Sequence, residues 1–443
     1  MLYYKFIIKF IDRGLYIASL NPPRGLRDYW PEIWSAIRWL GEKFIDIGIL
    51  WGYIPIEAPV IESLSILEKK AGPDVVNEIY WFKDKGGRSL GLRFDYTVPI
   101  ARAVASRPEL PKPLKYCYFG RSWRYDEPQA GRWREFWQFG VEFIGSDKIY
   151  ADAEIMALAA ECIKSIGIEN FKIMVCDRRL VESALNKIGV PRNLFSNVLR
   201  IIDKRKKIST EEFYSMLGEI SLKHIADEIN DFSSTIISLK DASKFIKKYD
   251  SNLANIFEEL SKLLDLYGYL EYFYLDCSIV RGLEYYTGIV FEIFGENGKW
   301  SRLSLGGGGR YDELIGLYRS PTIPSTGFAL GIDRIAMYME EKNIIKWSIP
   351  KPLVKIYVMN KELEEYGFKV LKYVRENGIS CELDFYSKSI RDALKNADKR
   401  GIRYIIIVGK REVEMNLISI KDLSEGIQKT IRLEDLKKIV SRV

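Results

Sequence analysis

Histidine is nearly absent from this chain of 443 residues, since His224 is the only one. A Ser/His/Asp triad and a metal site built on histidine ligands both require histidine beside the other reacting groups. His224 lies in a segment with a helical pattern, far along the chain from the arginine-rich and glycine-rich segments. We therefore interpret His224 as a packing or surface residue. We expect the chemistry to rest on arginine, carboxylate and tyrosine side chains.

Cysteine is scarce and irregularly placed. The five cysteines are odd in number and include no C-x-x-C pair: Cys117, Cys162, Cys176, Cys277 and Cys381. This spacing argues against a disulfide framework and against a cysteine-ligated zinc site. The pattern is typical of a protein of the reducing cytoplasm, which is where we expect this chain to work.

Long apolar runs are missing as well, and none reaches the roughly 20 residues that a membrane-spanning helix needs. The opening segment is partly apolar, but Lys5, Lys9 and Asp12 interrupt it, which argues against a signal peptide. The glycine run 306–309 does not fit the G-x-x-x-x-G-K pattern, so a P-loop is excluded. Its four glycines predict either a loop or a close approach of the backbone to a ligand.

The length and the composition are those of a globular protein. The chain is long enough for two or three domains, and its 47% hydrophobic and 29% charged residues are an ordinary balance. A net charge of +7 suits a polyanionic partner but does not require one.

The most informative segment runs from Arg121 to Glu142 and carries four arginines within fourteen positions. Its flanks alternate apolar and polar residues around a Gly/Pro-bearing turn, which predicts a hairpin with Arg124 and Gln138 on neighbouring strands. Guanidinium groups over a sheet suit phosphate oxygens. A solvated, arginine-rich hairpin would show the same spacing.

This stretch resembles motif 2 of the class II aminoacyl-tRNA synthetases, and specifically of the histidyl-tRNA synthetase family. Further segments resemble that family in the same order and spacing, from about Pro22 to the C-terminus. They are Leu92–Pro99 (the strand that receives the α-amino group), Val280–Gly288 and Gly308–Asp312 (two histidine-type signatures), and Thr326–Arg334 (motif 3). The helix that begins at Pro31 and the strand after it resemble motif 1, which builds the dimer interface in this family; an ordinary core helix is the alternative.

The resemblance implies an α+β fold with a class II antiparallel-sheet catalytic domain, a helical insertion and a C-terminal α/β anticodon-binding domain. We expect an N-terminal extension at 1–20, the catalytic domain at 21–345, the insertion at 178–267 and the anticodon-binding domain at 353–443. The expected insertion has few glycines and a three-to-four apolar spacing, and Pro350 and Pro352 mark a linker. The resemblance places the insertion over the acceptor end of tRNA; a helical decoration without contacts is the alternative.

Strands and helices are predicted to alternate beyond that linker. A helix capped by Ser389 is expected there, with Lys388, Arg391 and Lys395 on it. These three residues form either a face for tRNA or a solvated basic face.

The resemblance also assigns the site. It implies that Arg124 and Arg281 are catalytic and hold the α-phosphate from opposite sides. It implies ATP contacts from Arg124, Asp126 and Arg334, and histidine contacts from Asp95, Thr97, Gln138, Glu142, Tyr286 and Tyr311. Asp126 and Asp333 stand where the family usually has glutamate. Mg²⁺ is expected to arrive with ATP, and no protein metal site is expected.

The function implied is that of a cytoplasmic, homodimeric ligase that activates L-histidine with ATP and charges tRNA(His), with no membrane partner. One rival is a catalytically silent, synthetase-like regulatory subunit of ATP phosphoribosyltransferase. That protein lacks the anticodon domain and tends to lose the catalytic arginine, whereas Arg281 and a further domain are present here. Another rival is a class II synthetase for proline, threonine or glycine, which the two histidine-type signatures disfavour.

Overall fold

The structure is a computed structural model that describes residues 20–440, except 71–76, 128–130, 206–207, 281–285, 297, 320, 346 and 348. The expected N-terminal extension therefore lies outside the described residues apart from Leu20. The chain forms two compact units, which divide after Trp347. Among the described residues, no helix has the length and apolarity needed to cross a membrane.

The first unit contains a nine-stranded sheet and a three-stranded sheet. Its strands are β1 (Ile54–Pro55), β2 (Ile61–Ser63), β3 (Trp81–Lys83), β4 (Ser89–Leu92), β5 (Leu114–Trp123), β6 (Glu135–Ile144), β7 (Phe171–Asp177), β8 (Ile236–Ser238), β9 (Phe273–Asp276), β10 (Ile289–Gly295), β11 (Ser304–Arg310) and β12 (Ser325–Gly331). The large sheet has the order β1-β5-β6-β12-β11-β10-β7-β9-β8, and the small sheet has the order β2-β4-β3. Strands β5, β6, β12, β11, β10 and β7 pair antiparallel in succession, as the predicted class II sheet requires.

Helices flank these strands. They are α1 (Pro31–Leu50), α2 (Leu64–Lys70), α3 (Thr97–Ala105), α4 (Ile149–Ser165), α5 (Arg178–Ile188), α6 (Phe195–Lys204), α7 (Thr210–Glu219), α8 (Ala226–Ser233), α9 (Ala242–Ile246), α10 (Ser251–Leu266) and α11 (Ile332–Glu341). Helix α1 begins at a proline, whose fixed φ suits the first helical position. It buries Ile37, Leu40 and Phe44, which recur at the spacing of one helical face.

The two faces of the large sheet differ in composition. Successive side chains of a strand point to opposite faces of the sheet. Residues that pair directly across antiparallel strands share one face. Phe139, Val141, Phe328 and Phe291 are buried on one face. Helix α1 packs on that face, since the ring centres of Phe44 and Phe139 lie 5.4 Å apart. The other face carries the small and polar residues of the candidate site.

The glycine run is a strand rather than a loop, which corrects one of the two sequence expectations. Gly306 to Gly309 lie inside β11, between β10 and β12. A Cβ atom on Gly309 would lie 2.5 Å from the carbonyl oxygen of Ile289 on β10. The run therefore fits a strand in which neighbouring backbones leave no room for side chains.

Helices α5 to α10 make up most of the segment between Arg178 and Leu266, in agreement with its helical pattern. The segment also contains β8, which pairs antiparallel with β9 at the end of the large sheet. A strand of three residues shows too little alternation for the sequence to indicate it.

The second unit has one five-stranded sheet. Its strands are β13 (Val354–Val358), β14 (Cys381–Asp384), β15 (Tyr404–Val408), β16 (Leu417–Asp422) and β17 (Gln428–Arg432), and its helices are α12 (Glu364–Glu376), α13 (Ile390–Lys399), α14 (Lys410–Glu414) and α15 (Leu436–Val440). The strand order is β14-β13-β15-β16-β17, with the first three strands parallel. Ser389 caps α13 as predicted, since its hydroxyl group accepts a hydrogen bond from the backbone N–H of Asp392. Lys388 precedes this helix, so only Arg391 and Lys395 of the three expected basic residues lie on it.

Candidate active site

Two rows of residues cross the centre of the large sheet on the face that carries small and polar side chains. One row contains Tyr118, Gly140, Ala329, Gly307 and Glu292, and the next contains Glu142, Gly327 and Gly309. The glycines make room for polar groups of their neighbours. A Cβ atom on Gly327 would clash with the carboxylate of Glu142, and one on Gly140 would clash with the hydroxyl group of Tyr118. The rows therefore form a floor above which polar side chains gather.

Glu142 is the carboxylate at the centre of this floor and is 1% exposed. Its Oε2 atom accepts a hydrogen bond from the hydroxyl group of Tyr311, which follows the end of β11. The ring of Tyr286 stands above Gly309, because a Cβ atom there would lie 3.0 Å from its Cδ1 atom. Three residues that the sequence assigned to histidine binding are thus close together in space.

Asp95, in the link between β4 and α3, and Thr97, the first residue of α3, both lie near Tyr118 of the floor. The Oδ1 atom of Asp95 accepts a hydrogen bond of 3.1 Å from the backbone N–H of Val98, which fixes the carboxylate at the start of α3. Burial raises the pKa of Tyr118 and Tyr286 well above the usual range for tyrosine, and the charges of Glu142 and Asp95 raise the pKa further. Both phenols therefore stay protonated and can donate hydrogen bonds between the two carboxylates.

Gln138 lies on β6 and points to the same face as Glu142, four residues along the strand. The side chain is 7% exposed, and its Oε1 atom accepts a hydrogen bond of 2.9 Å from the hydroxyl group of Ser122 on β5. This contact holds the amide at one orientation.

The arginine-rich segment forms the predicted hairpin from β5 and β6. Arg124 follows β5 directly; its Nε atom donates to the carbonyl oxygen of Phe94, and its guanidinium carbon lies 5.4 Å from the ring centre of Phe136. Asp126 pairs with Arg132 at 2.6 Å. Burial and the charge of Asp126 raise the pKa of Glu78, which shows that a second carboxyl group lies beside this pair. Positive and negative groups therefore alternate at this end of the site.

Motif 3 begins α11, and its two charged residues have different surroundings. Asp333 is 2% exposed and accepts hydrogen bonds from Arg27, the Tyr29 hydroxyl group and the backbone N–H of Trp137. It therefore ties the chain before α1 to β6. Arg334 is half-buried and donates to the carbonyl oxygens of Gly131 and Ser304.

A buried ion pair holds the strand that leads to Tyr311. The side chain of Arg310 is 9% exposed, and its guanidinium group binds both carboxylate oxygens of Asp152 on α4, with the shortest distance at 2.6 Å. Arg310 also pairs with Asp312 at 3.1 Å. The signature 308–312 thus contains both Tyr311, which was assigned to histidine binding, and Arg310, whose ion pairs hold this segment in place.

Three polar side chains of the site were not assigned from the sequence: Tyr118 and Glu292 on the floor, and Ser122, which holds Gln138. Glu292 is a lone carboxylate in the apolar strand β10, and that pattern could have indicated it. Arg281 lies outside the described residues, so its assignment stays a prediction from the sequence. Within the described part of the chain, no three His, Cys, Asp or Glu side chains are grouped closely enough to hold a metal ion.

Comparisons with known proteins show which family shares this sequence. The histidyl-tRNA synthetase family model matches residues 25–335. The chain belongs to the histidyl-tRNA synthetase family. An anticodon binding domain model matches residues 353–442. The histidine–tRNA ligase of Pyrobaculum islandicum is 41% identical over 407 residues, which cover 91% of this chain and 94% of that protein.

Solved structures of the family share the fold. The histidyl-tRNA synthetase of Nostoc sp. PCC 7120 matches with a TM-score of 0.81 at 25% identity and covers 96% of this chain and 99% of that one. A protein of Bacillus halodurans described as an ATP phosphoribosyltransferase regulatory subunit/histidyl-tRNA synthetase matches with a TM-score of 0.72 at 24% identity, over 85% of this chain and 96% of its own. The second likeness shows the fold alone.

These findings confirm the resemblance, the fold class and the prediction of a histidine–tRNA ligase, an enzyme class that uses ATP. The regulatory-subunit rival is not better supported, because the chain also matches the anticodon binding domain that this rival was expected to lack.

Proposed function

We propose that the site activates L-histidine with ATP to histidyl-adenylate and then transfers the histidyl group to tRNA(His). The observation that carries this proposal is the buried Glu142–Tyr311 pair over the glycine floor, with Asp95 beside it. A buried carboxylate among tyrosines suits a small ligand that carries its own N–H donors, as imidazole does.

The roles within the amino acid site follow from the chemistry of histidine. The α-ammonium group fits Asp95 and Thr97, since a carboxylate and a hydroxyl group are its natural acceptors. Gln138 would bind the amino acid backbone. Glu142 would accept a hydrogen bond from one imidazole nitrogen, with Tyr286 at the ring and Tyr311 holding the carboxylate. An apolar ring of similar size would leave these buried groups without partners, and such sites reject analogues by roughly 10⁴-fold or more.

The first chemical step needs alignment and positive charge rather than a protein nucleophile. A carboxylate oxygen of histidine attacks the α-phosphorus, a new O–P bond forms, and the bond to the bridging oxygen of pyrophosphate breaks. Arg124 lies on the same side of the hairpin as Asp95, since it binds the carbonyl oxygen of Phe94, the residue before Asp95. We assign Arg124 to the α-phosphate and keep Arg281 as its counterpart, a role that rests on the sequence.

Arg334, Asp126 and a divalent cation complete the nucleotide site in this proposal. Arg334 would close over ATP from the start of α11, next to the hairpin residue Gly131. Glu78 and Asp126 offer carboxylate oxygens beside Arg124 and Arg132, which fits a Mg²⁺ ion held mainly by phosphate oxygens. When bound with ATP, Mg²⁺ supplies positive charge to the leaving pyrophosphate.

The remaining assignments concern partners and location. We propose that α1 and β1 take part in a homodimer, because Leu50 and Ile54 there are 82% and 64% exposed. We propose that the helical segment between Arg178 and Leu266 faces the acceptor end of tRNA and that the second unit, within 353–443, binds the anticodon. The enzyme would work in the cytoplasm, where tRNA is charged.

Pyrophosphate exchange into ATP, measured with each of the twenty amino acids in turn, tests the proposal. We expect exchange with histidine alone. Exchange with proline, threonine or glycine would contradict the assignment of the pocket, and no exchange with any amino acid would favour the regulatory-subunit rival.

A chain that ends at Trp347 separates the two steps, because the two units divide after that residue. It should keep histidine-dependent exchange and charge tRNA(His) poorly. Equal charging by the truncated and full chains would contradict an anticodon role for the second unit.

A further inference from the structure

The link between β4 and α3 serves both substrates of the proposed first step. Asp95 in this link is assigned to the α-ammonium group of histidine. The carbonyl oxygen of the preceding residue, Phe94, accepts a hydrogen bond of 3.0 Å from Arg124, which is assigned to the α-phosphate. Reacting atoms must come within about 3–3.5 Å of each other, correctly oriented, before a bond can form. The backbone of this link therefore sets how the carboxylate of histidine lies relative to the phosphorus atom.

Arg93 begins this link and is a buried cation, only 3% exposed. Its Nε atom donates a hydrogen bond of 2.9 Å to the carbonyl oxygen of Arg121 on β5. Its Nη1 atom donates to the carbonyl oxygen of Ala58 at 2.5 Å and to the carboxylate of Glu57 at 2.6 Å, both in the segment after β1. The carbonyl oxygen of Arg93 accepts a hydrogen bond of 3.0 Å from the backbone N–H of Trp123. Arg93 therefore fastens the link to β5 and to the chain that follows β1.

Tyr96 extends this anchorage to the floor of the site. Its hydroxyl group accepts a hydrogen bond from the Nη2 atom of Arg93, and the guanidinium carbon lies 3.7 Å from its ring centre. The ring of Tyr96 also stacks on that of Tyr118, with the ring centres 4.2 Å apart and the planes 8° from parallel. A Cβ atom on Gly120 would overlap the hydroxyl oxygen of Tyr96, so the glycine leaves the space that this phenol occupies. Tyr96 thus connects Arg93 to the floor residue Tyr118.

The burial of Arg93 and Tyr96 argues for a role in geometry rather than in substrate contact. Their side chains are 3% and 0% exposed and bind groups of the protein itself. A buried ion pair is weak evidence for stability, because apolar side chains of similar volume often serve the fold equally well. A planar guanidinium group, in contrast, fixes the direction of each hydrogen bond that it donates. An arginine at this position therefore suits the precise placement of the chain around it.

We propose that Arg93 and Tyr96 are positioning residues for the formation of the adenylate. They fix Asp95 relative to Arg124, so that the carboxylate of bound histidine lies in line with the α-phosphate. Asp95 and Thr97 flank Tyr96 in the chain, so a shift of Tyr96 moves both acceptors of the α-ammonium group. A misplacement of about 1 Å can slow a reaction about 10²-fold. The inference rests on the proposed function, from which it takes the roles of Asp95 and Arg124.

The test measures histidine-dependent pyrophosphate exchange in variants of the full chain. Arg93→Lys keeps the positive charge but loses the planar set of donors, and it should lower kcat roughly 10²-fold. Tyr96→Phe keeps the stacked ring but loses one hydrogen bond to a charged group, and it should lower kcat roughly 10-fold. The KM for histidine and the KM for ATP should each stay within about threefold, because the variants alter alignment more than ground-state binding.

Arg102→Lys is the matched control for Arg93→Lys. Arg102 on α3 pairs at 2.9 Å with Glu62 on β2, so it also joins the chain after β4 to a neighbouring segment. Its guanidinium group binds a carboxylate that has no role in the proposed reaction. The kcat of this variant should therefore stay within about twofold of wild type.

A double-mutant cycle separates positioning from a general structural role. In an Asp95→Asn background, Tyr96→Phe should lose most of its effect on kcat, because the carboxylate that it positions is already gone. In a Glu142→Gln background, Tyr96→Phe should keep its effect of roughly 10-fold, since Glu142 is assigned to the imidazole ring. A general loss of structure would lower kcat by the same factor in both backgrounds, and that result would overturn the inference.

The outcomes separate this inference from the proposed function. Absence of histidine-dependent exchange in the wild-type chain would refute the proposed function. Exchange in the wild type together with an unchanged kcat in Arg93→Lys and Tyr96→Phe would refute the positioning role alone, as would an equal fall in Arg102→Lys. If Arg93→Lys does not fold, as judged from its Tm, Tyr96→Phe and its double-mutant cycle decide the question.

Discussion

Replacement of Glu142 by glutamine tests the centre of the site most directly. The amide keeps the shape of the side chain and an oxygen that can accept the hydrogen bond from Tyr311, but it loses the negative charge. A hydrogen bond to a charged group contributes about 1.5–3 kcal/mol. Because each 1.36 kcal/mol is a factor of ten, the KM for histidine should rise roughly 10- to 150-fold.

The alanine variant at the same position should bind histidine more weakly still. Glu142→Ala also removes the acceptor of the Tyr311 hydroxyl group, and a buried polar group without its partner costs about 1–3 kcal/mol. Tyr311→Phe should raise the histidine KM less than either change at Glu142. The effects of Glu142→Ala and Tyr311→Phe should be non-additive, since the two side chains share one hydrogen bond.

The assay is histidine-dependent pyrophosphate exchange with histidine and ATP varied separately. The KM for ATP should stay within about twofold, because the carboxylate faces the amino acid and not the nucleotide. Glu161→Gln on α4 is a suitable control, since that carboxylate accepts a hydrogen bond of 2.9 Å from Trp51 behind the sheet. An unchanged histidine KM in Glu142→Gln, or an equal rise in the KM for ATP, would show that Glu142 does not bind imidazole.

Three further predictions concern the supporting residues. Asp152→Ala should lower the free energy of unfolding by about 3–5 kcal/mol, because it leaves the buried guanidinium group of Arg310 without its main partner; a loss below 1 kcal/mol in urea unfolding would contradict this. Burial alone would raise the pKa of Asp384, but hydrogen bonds and Lys355 outweigh it and lower the pKa to about 2. A lowered pKa stabilises the fold above the usual pKa of aspartate, so this stabilisation of about 2 kcal/mol should be present at pH 5 and lost as the pH falls through 2; the difference in unfolding free energy between wild type and Asp384→Asn should shrink accordingly. Arg124→Ala should slow adenylate formation roughly 10²- to 10³-fold with little change in tRNA affinity, and near-normal single-turnover rates would contradict its contact with the α-phosphate.

The local periodicity of the sequence was sufficient to predict a helix or a strand wherever its pattern lies within a short segment of the chain. The apolar spacing after Pro31 predicted α1, and the serine before Ile390 predicted the start of α13. The alternation on both sides of the Gly/Pro turn predicted the β5–β6 hairpin. These patterns depend on backbone geometry and on residues close in sequence, so a single chain displays them without any tertiary information.

Residue types and their order also determined the family, and with it the fold class and the enzyme class. The family model spans all of these ordered segments, from residue 25 to residue 335. The aspartates at 126 and 333 show the limit of that reasoning. Both keep the charge of the usual glutamate, yet the sequence could not say what each of them contacts.

Only the tertiary structure decided which distant residues meet. Asp333 binds Arg27 and Tyr29, which lie more than 300 residues earlier in the chain. The four glycines were compatible with a loop, but they form a central strand in which the neighbouring backbones approach too closely for a Cβ atom. Glu142 and Tyr311 meet because β6 and β12, and β12 and β11, are neighbours in the sheet, although their order along the chain is different. Strand pairing joins segments of large sequence separation, and the period of a single strand carries no information about its neighbour.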